Sequence, residues 1–130
     1  SFKEKIYLPS DGISPCGSTR TANDSMLDIG EGTRKSYSDV IKASKTVIWN
    51  GPMGMFENEQ YAAGTVAIAN AIADSDAFSI FGGGDTLSAV NKAGVPFEKF
   101  SFVSTGGGAL LYAIENNSLP AIKTLHSFRS

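Results

Sequence analysis

Three glycine-rich segments hold the residues best suited to chemistry. Trp49 is followed by Asn50-Gly51-Pro52-Met53-Gly54, Phe81 by Gly82-Gly83-Gly84-Asp85-Thr86, and Val103 by Ser104-Thr105-Gly106-Gly107-Gly108. Each follows a short β-branched or aromatic run and leads into a segment of helical periodicity. Glycine lets a backbone approach a ligand closely with its N–H groups turned outward, and a helix N-terminus adds partial positive charge, an arrangement suited to phosphate. One such loop is often no more than a tight turn. Three at equivalent positions point to a phosphorylated ligand, because loops that leave parallel strands share one carboxyl edge, where ligands of open α/β sheets bind.

Asp85 stands where the second glycine run meets its helix. Beside bound phosphates a carboxylate is repulsive unless a cation lies between them, and magnesium commonly takes one or two protein carboxylates plus phosphate oxygens. An N-cap role for Asp85 is equally open and compatible with the first. Glu57, in Met55-Phe56-Glu57, has the chemistry to accept ribose hydroxyls, and an acidic residue near a helix start is also simply favourable. No Lys or Arg lies inside any of the three loops, although phosphoryl transfer needs positive charge around the migrating group. Arg34 and Lys35 follow Asp28-Ile29-Gly30-Glu31-Gly32-Thr33, where surface solvation is their simplest role.

Other chemistries are excluded by what the chain lacks. Neither Gly-x-Gly-x-x-Gly after a strand nor Gly-x-x-x-x-Gly-Lys-Ser/Thr occurs, which sets aside dinucleotide-type and P-loop sites. Cys16 and His126 are the only cysteine and histidine, so an intrachain disulfide, a cysteine metal cluster and Ser-His-Asp hydrolysis are all out of reach. This cysteine usage suits a reducing cytosol, and the expected location is cytoplasmic.

The elements that must position the loops read as an alternation of strands and helices. Strands are expected at Lys5–Leu8, Thr46–Trp49, Phe78–Phe81 and Phe100–Val103, with helices at Ser36–Ser44, Glu59–Ala73, Thr86–Lys92 and Gly108–Asn116. The Glu59–Ala73 helix is the most strongly patterned, with Val66, Ala69 and Ala73 recurring at helical spacing beside Ile68 and Ile72. Residues 10–32, rich in Ser, Gly, Asp, Thr and Asn, read as a long loop or strand-poor insertion. The fold class is therefore α/β, a Rossmann-like three-layer αβα arrangement around a parallel sheet.

With 130 residues, 42% hydrophobic and 18% charged, the chain has the composition of one soluble globular domain. Its 11 Lys and Arg against 13 Asp and Glu leave a net charge of -2, so neither nucleic acid nor an anionic membrane is an expected partner. The most apolar stretch, Tyr61–Ala73, is too short and too polar to span a bilayer.

The segment Val47-Ile48-Trp49-Asn50-Gly51-Pro52-Met53-Gly54-Met55-Phe56-Glu57 closely resembles the carboxyl-terminal domain of phosphoglycerate kinases. Gly82-Gly83-Gly84-Asp85-Thr86 resembles that family's nucleotide-phosphate loop, and Ser104-Thr105-Gly106-Gly107-Gly108-Ala109 its final glycine loop, followed by Leu119-Pro120-Ala121-Ile122. Leu8-Pro9-Ser10-Asp11 and Asp28-Ile29-Gly30 are similar to further landmarks. Two positions depart from the pattern: Glu31-Gly32 follows Asp28-Ile29-Gly30, and Leu110-Leu111-Tyr112 follows the last loop.

The resemblance implies phosphoryl transfer between 1,3-bisphosphoglycerate and ADP, giving 3-phosphoglycerate and ATP in glycolysis, with magnesium and closure of two domains. Carried over by motif, Asn50 would contact nucleotide phosphates, Pro52 would pack near the nucleoside and Glu57 would hold the ribose. Gly82, Gly83, Gly84, Asp85 and Thr86 would meet the magnesium-bound phosphates, Asp85 on the metal side. Gly106, Gly107 and Gly108 would line the path of the transferring group. On this resemblance residues 1–130 are the carboxyl-terminal portion of the nucleotide-binding domain, without the amino-terminal domain and its acceptor site, in a family that is typically monomeric. The chain alone is then expected to be inactive, either part of a phosphotransferase or a non-catalytic nucleotide-binding or structural module.

Overall fold

The computed structural model describes residues 2–21 and 25–104, together with Tyr112 and Glu115. Three short strands come first, Asp11–Ile13 (β1), Thr19–Thr21 (β2) and Asp28–Ile29 (β3), followed by helix Glu31–Ala43 (α1). Then come strand Thr46–Asn50 (β4), helix Ala63–Ala73 (α2), strand Phe78–Gly82 (β5), helix Gly84–Lys92 (α3) and strand Phe102–Ser104 (β6). Single 3-10 turns stand at Phe2–Lys5, Glu59–Tyr61 and Phe97–Lys99.

From β4 onward the chain follows the expected alternation. The β4, β5 and β6 strands form a parallel sheet in that order, with α2 and α3 as the crossovers. As the middle strand, β5 is buried from Ser79 to Gly82, which explains its nearly continuous apolar run in place of alternation. Phe81 is the centre of the core. It packs edge-on against Phe100 at 4.6 Å between ring centroids, tilted against Trp49 at 6.4 Å, and beside Val90 of α3 and Ile68 and Ile72 of α2. Each such side chain contributes about 1.5–3 kcal/mol on burial. Of the periodic positions of α2, Ile68, Ala69 and Ile72 are buried, joined by Gly64, Thr65 and Ala71, whereas Val66 and Ala73 are only half-buried.

Several boundaries differ from the sequence expectation. Lys5–Leu8 is not a strand: the 3-10 turn ends at Lys5, and Ile6, Tyr7 and Leu8 are exposed, outside either sheet. The run has strand composition, but no strand among the described residues lies beside it; the Tyr37 hydroxyl instead donates to the Tyr7 carbonyl at 2.8 Å. Residues 10–32 are not simply a loop. They hold an antiparallel sheet in the order β2-β1-β3, made of strands of two or three residues, too short to leave a periodic signal.

Helix α1 begins five residues before the expected Ser36, at Glu31, because its first turn is stabilised from elsewhere in the chain. The Asp11 carboxylate accepts the Gly32 N–H at 2.9 Å and the Thr33 N–H at 2.7 Å. The expected Glu59–Ala73 helix divides into a 3-10 turn, capped by Asn58 on the Gln60 N–H, and α2 proper. At the start of β6, Ser79 and Ser101 exchange N–H to hydroxyl bonds at 3.0 and 3.1 Å. The ladder therefore starts at Phe102 instead of Phe100. The expected helix Gly108–Asn116 lies outside the described residues apart from Tyr112 and Glu115, both helical.

Candidate functional site

The parallel register brings side by side the strand ends from which the three glycine segments leave. Asn50 at the end of β4 pairs with Gly82 at the end of β5, and Gly82 pairs with Ser104 at the end of β6. Neighbouring strands stand about 4.8 Å apart, so residues separated by more than fifty positions leave the sheet within about 10 Å of one another. Past these ends the backbone takes conformations open to glycine. Gly51 has φ +100° and Gly83 φ +97°. A Cβ built on Gly51 or Gly84 would meet nothing within 4 Å, so the side-chain position at both is open.

Gly83 is the N-cap of α3 and makes no side-chain cap. Its N–H donates to the Ser104 carbonyl at 3.1 Å, joining the second loop to the third. The first helical backbone bond runs from the Leu87 N–H to the Gly83 carbonyl at 3.1 Å, so the Gly84, Asp85 and Thr86 amides precede the ladder, as the first donors of a helix do. Asp85 is the second helical residue, exposed, and its carboxylate makes no hydrogen bond or ion pair among the described residues. The capping role open to Asp85 is thereby removed, since the cap position belongs to Gly83. Thr86 is fully buried and its Oγ1 accepts the Gly51 N–H at 2.8 Å, joining the second loop to the first.

The first segment does not run straight into a helix. After Asn50, which is exposed, and the partly buried Pro52, the chain folds back over the antiparallel sheet. There the Met55 N–H donates to the Leu27 carbonyl at 2.8 Å and the Thr65 hydroxyl donates to the Met53 carbonyl. Gly54, at φ +59°, lies so close to Leu27 and Asp28 that a Cβ would stand 2.5 Å from the Leu27 carbonyl oxygen. Phe56 is buried with Ala62 and Ala89 of α3, and Lys92 Nζ donates to the Glu57 carbonyl at 2.6 Å. Glu57 is thus held alongside α3 with its side chain exposed. Gly106, Gly107 and Gly108 lie outside the described residues.

Behind the loops sits Asp28, buried, whose Oδ1 and Oδ2 accept the Ile29 and Gly64 N–H groups, each at 2.8 Å. Burial pushes its carboxyl above the usual range, opposed by those two bonds and by the charge of Arg34. Asp11 is held below its ordinary value chiefly by its bond from the Thr33 hydroxyl. The exposed Cys16 thiol is drawn down to about 6 by bonds to Ser14 and then Ser18. Sequence reasoning missed the roles of Asp11 and Asp28, although an Asp before Ile-Gly or Gly-Ile at a helix approach has the side chain for such caps.

Further from the glycine loops, Arg34 and Lys92 flank a cavity of about 620 Å³ over α2, with Glu59, Ala62 and Val66 in its wall. Lys35 pairs with Asp39 at 3.0 Å on the exposed face of α1, as expected of a solvated cation. Among the described residues, no three His, Cys, Asp or Glu side chains converge as a metal site. No helix there is long and apolar enough to cross a membrane.

A family model described as phosphoglycerate kinase matches residues 3–117. A phosphoglycerate kinase of Desulfosudis oleivorans is 52% identical over 122 residues, covering 94% of this chain and 31% of the relative. One of Herpetosiphon aurantiacus is 46% identical over 134 residues, covering 94% and 34%. The chain thus spans about a third of the length of these curated relatives. Among solved structures, phosphoglycerate kinase from Coxiella burnetii superposes with a TM-score of 0.78 at 38% identity, over 96% of this chain and 35% of that one. The enzyme from Pyrococcus horikoshii gives 0.77 at 33% identity, over 96% and 33%.

Proposed function

The chain belongs to the phosphoglycerate kinase family, and from that premise we propose that it forms the magnesium-nucleotide-binding part of a phosphotransferase. The full reaction moves a phosphoryl group between 1,3-bisphosphoglycerate and ADP, giving 3-phosphoglycerate and ATP. The observation that carries this reading is the Asn50–Gly82–Ser104 register, which brings the strand ends that lead into the three glycine segments to one sheet edge. Nucleotide phosphates sit over the amides of Gly84 and Asp85, where the N-terminus of α3 favours negative charge. Asn50 reaches the phosphates from the neighbouring strand end, Pro52 packs near the nucleoside, and Glu57, alongside α3, accepts from the ribose. Gly106, Gly107 and Gly108 line the path of the transferring group.

The residues fit a magnesium ion shared with the nucleotide. Asp85 is exposed, without a hydrogen-bond or ion-pair partner among the described residues, and in the first turn of α3, and the Cβ positions of Gly51 and Gly84 are open. One carboxylate is a sparse site by itself, and magnesium bound through phosphates commonly has no more than one or two. When bound, such an ion would supply positive charge that offsets that of the phosphates. Asp85 holds and orients that assembly; the α3 amides orient the phosphates.

The chain by itself is proposed to bind magnesium-ADP without turnover. No cation lies in the three glycine segments to stabilise a migrating phosphoryl group. The triose acceptors, 3-phosphoglycerate and 1,3-bisphosphoglycerate, are partners only together with the family's amino-terminal domain. Loss of proximity alone forfeits roughly 7–11 kcal/mol of barrier lowering. Two measurements test the two halves. Saturating magnesium-ADP at about 100 times its dissociation constant should stabilise the folded chain by roughly 2.7 kcal/mol, and a coupled assay should register no product. An unchanged melt would sink nucleotide binding; turnover by the purified chain, free of host enzyme, would sink the inactivity.

A further inference from the structure

Thr86 belongs to the glycine run expected to meet phosphates, and its side chain has a further task. Its side chain has no exposed surface, and its hydroxyl oxygen accepts the N–H of Gly51, 35 positions earlier in the chain, at 2.8 Å. That amide is therefore turned inward, onto the buried hydroxyl. Gly51 stands at φ +100°, a conformation open to glycine and strained for other residues, and its N–H would be a costly orphan if the hydroxyl were removed. On either side of Gly51 lie Asn50 and Pro52. On the Thr86 side lies Asp85, one residue away, with the first turn of α3.

The sheet alone ties the first segment to the second only as far as the Asn50–Gly82 pair. Beyond that pair, the Gly51–Thr86 bond is the further tie between them among the described residues, as the Gly83–Ser104 bond is between the second and third. We propose that Thr86 is a positioning residue, its buried hydroxyl holding the Gly51 amide so that Asn50 and Pro52 stay in fixed relation to Asp85 and the α3 N-terminus. Its hydroxyl acts through that bond and not on the ligand. The role rests on the nucleotide-binding reading above, because what it positions are the proposed phosphate and nucleoside contacts.

The test compares Thr86→Val, which keeps shape and deletes the hydroxyl, with Thr86→Ser, which restores it, on the 130-residue chain. Magnesium-ADP affinity is read by calorimetry and Gly51 amide exchange by NMR; Thr86→Ala, which adds no bulk, replaces Thr86→Val if that variant fails to fold. The expected result is binding at least tenfold weaker with fast Gly51 exchange when the hydroxyl is lost. Affinity and protection should both return in Thr86→Ser, a rescue that a role in packing alone would not require. Wild-type binding with unchanged affinity in the folded hydroxyl-less variant overturns the positioning role alone. Absence of binding in the wild type overturns the nucleotide reading and this role with it, whatever the exchange of Gly51 shows.

Discussion

The Asp28 carboxylate caps a helix that begins 35 residues after it: its Oδ2 accepts the N–H of Gly64, in the first turn of α2, at 2.8 Å. The other oxygen accepts the Ile29 N–H at 2.8 Å. A buried carboxylate is costly unless such donors satisfy it. Here they also fasten the antiparallel sheet to the helix that packs under β5, and they fix the base from which the first glycine segment is folded back.

Close contact at this cap predicts the effect of Gly64→Ala. The added Cβ would stand 2.2 Å from Asp28 Oδ1 and 2.6 Å from Ile29 Cγ1. Helix propensity favours Ala over Gly by about 1 kcal/mol, but overpacking of a buried site typically costs about 1–3 kcal/mol, and the cap bond is strained with it. Net destabilisation of about 1–2 kcal/mol is expected in urea unfolding. Gly84→Ala is the control, since open space surrounds that helical position; it should unfold no more easily than the wild type. Equal stability of the two variants would refute the tight Asp28–Gly64 packing.

Acid should act oppositely on the two capping aspartates. Asp11 is held below its ordinary value of 3.8 by the Thr33 hydroxyl first, and then by the Thr33 and Gly32 amides. Its contribution is therefore complete above pH 3.8 and is lost as pH falls through the lowered folded value. Burial raises Asp28 above 3.8, so its contribution declines as pH rises from 3.8 through the raised folded value. Asp11→Ala should cost about 1 kcal/mol near neutral pH, the usual worth of an N-cap, and the difference from wild type should shrink below pH 3.8. A pH-independent difference would show that the Asp11 charge does not stabilise α1.

Asp85→Asn tests the metal role. With the cap position held by Gly83, the exchange removes charge without removing a hydrogen bond seen among the described residues. The variant should fold with wild-type stability and bind magnesium-ADP at least tenfold more weakly, about 1.4 kcal/mol. In a complete enzyme containing this segment, turnover should fall with it. Unchanged magnesium-dependent affinity would remove Asp85 from the site.

Glu57→Ala separates ribose recognition from phosphate recognition. The Glu57 carbonyl is pinned by Lys92 and its neighbour Phe56 is buried, so truncating the exposed side chain should leave the backbone in place. Calorimetry should show weakened ADP binding and little change for a ribose-free ligand such as magnesium pyrophosphate. Equal weakening of both would count against ribose contact.

The glycine segments, the strand cores before them and the helices after two of them were legible in the amino-acid sequence. Each is encoded locally: β-branched and aromatic runs for β4 and β5, three-and-four spacing for α2, and glycine where the chain must turn at a strand end. That local code places the segments on one edge of a parallel sheet. The tertiary structure alone decided what fastens them. Asp11 capping α1, Asp28 capping α2 and Thr86 holding Gly51 join residues 21 to 36 positions apart, and composition cannot distinguish a partnered Asp or Thr from a solvated one. The same limit explains Lys5–Leu8, whose strand composition meets no neighbouring strand, and residues 10–32, whose two- and three-residue strands exist through their pairing. Periodicity is a property of a segment, whereas a hydrogen bond between distant groups exists only once packing has brought donor and acceptor within reach.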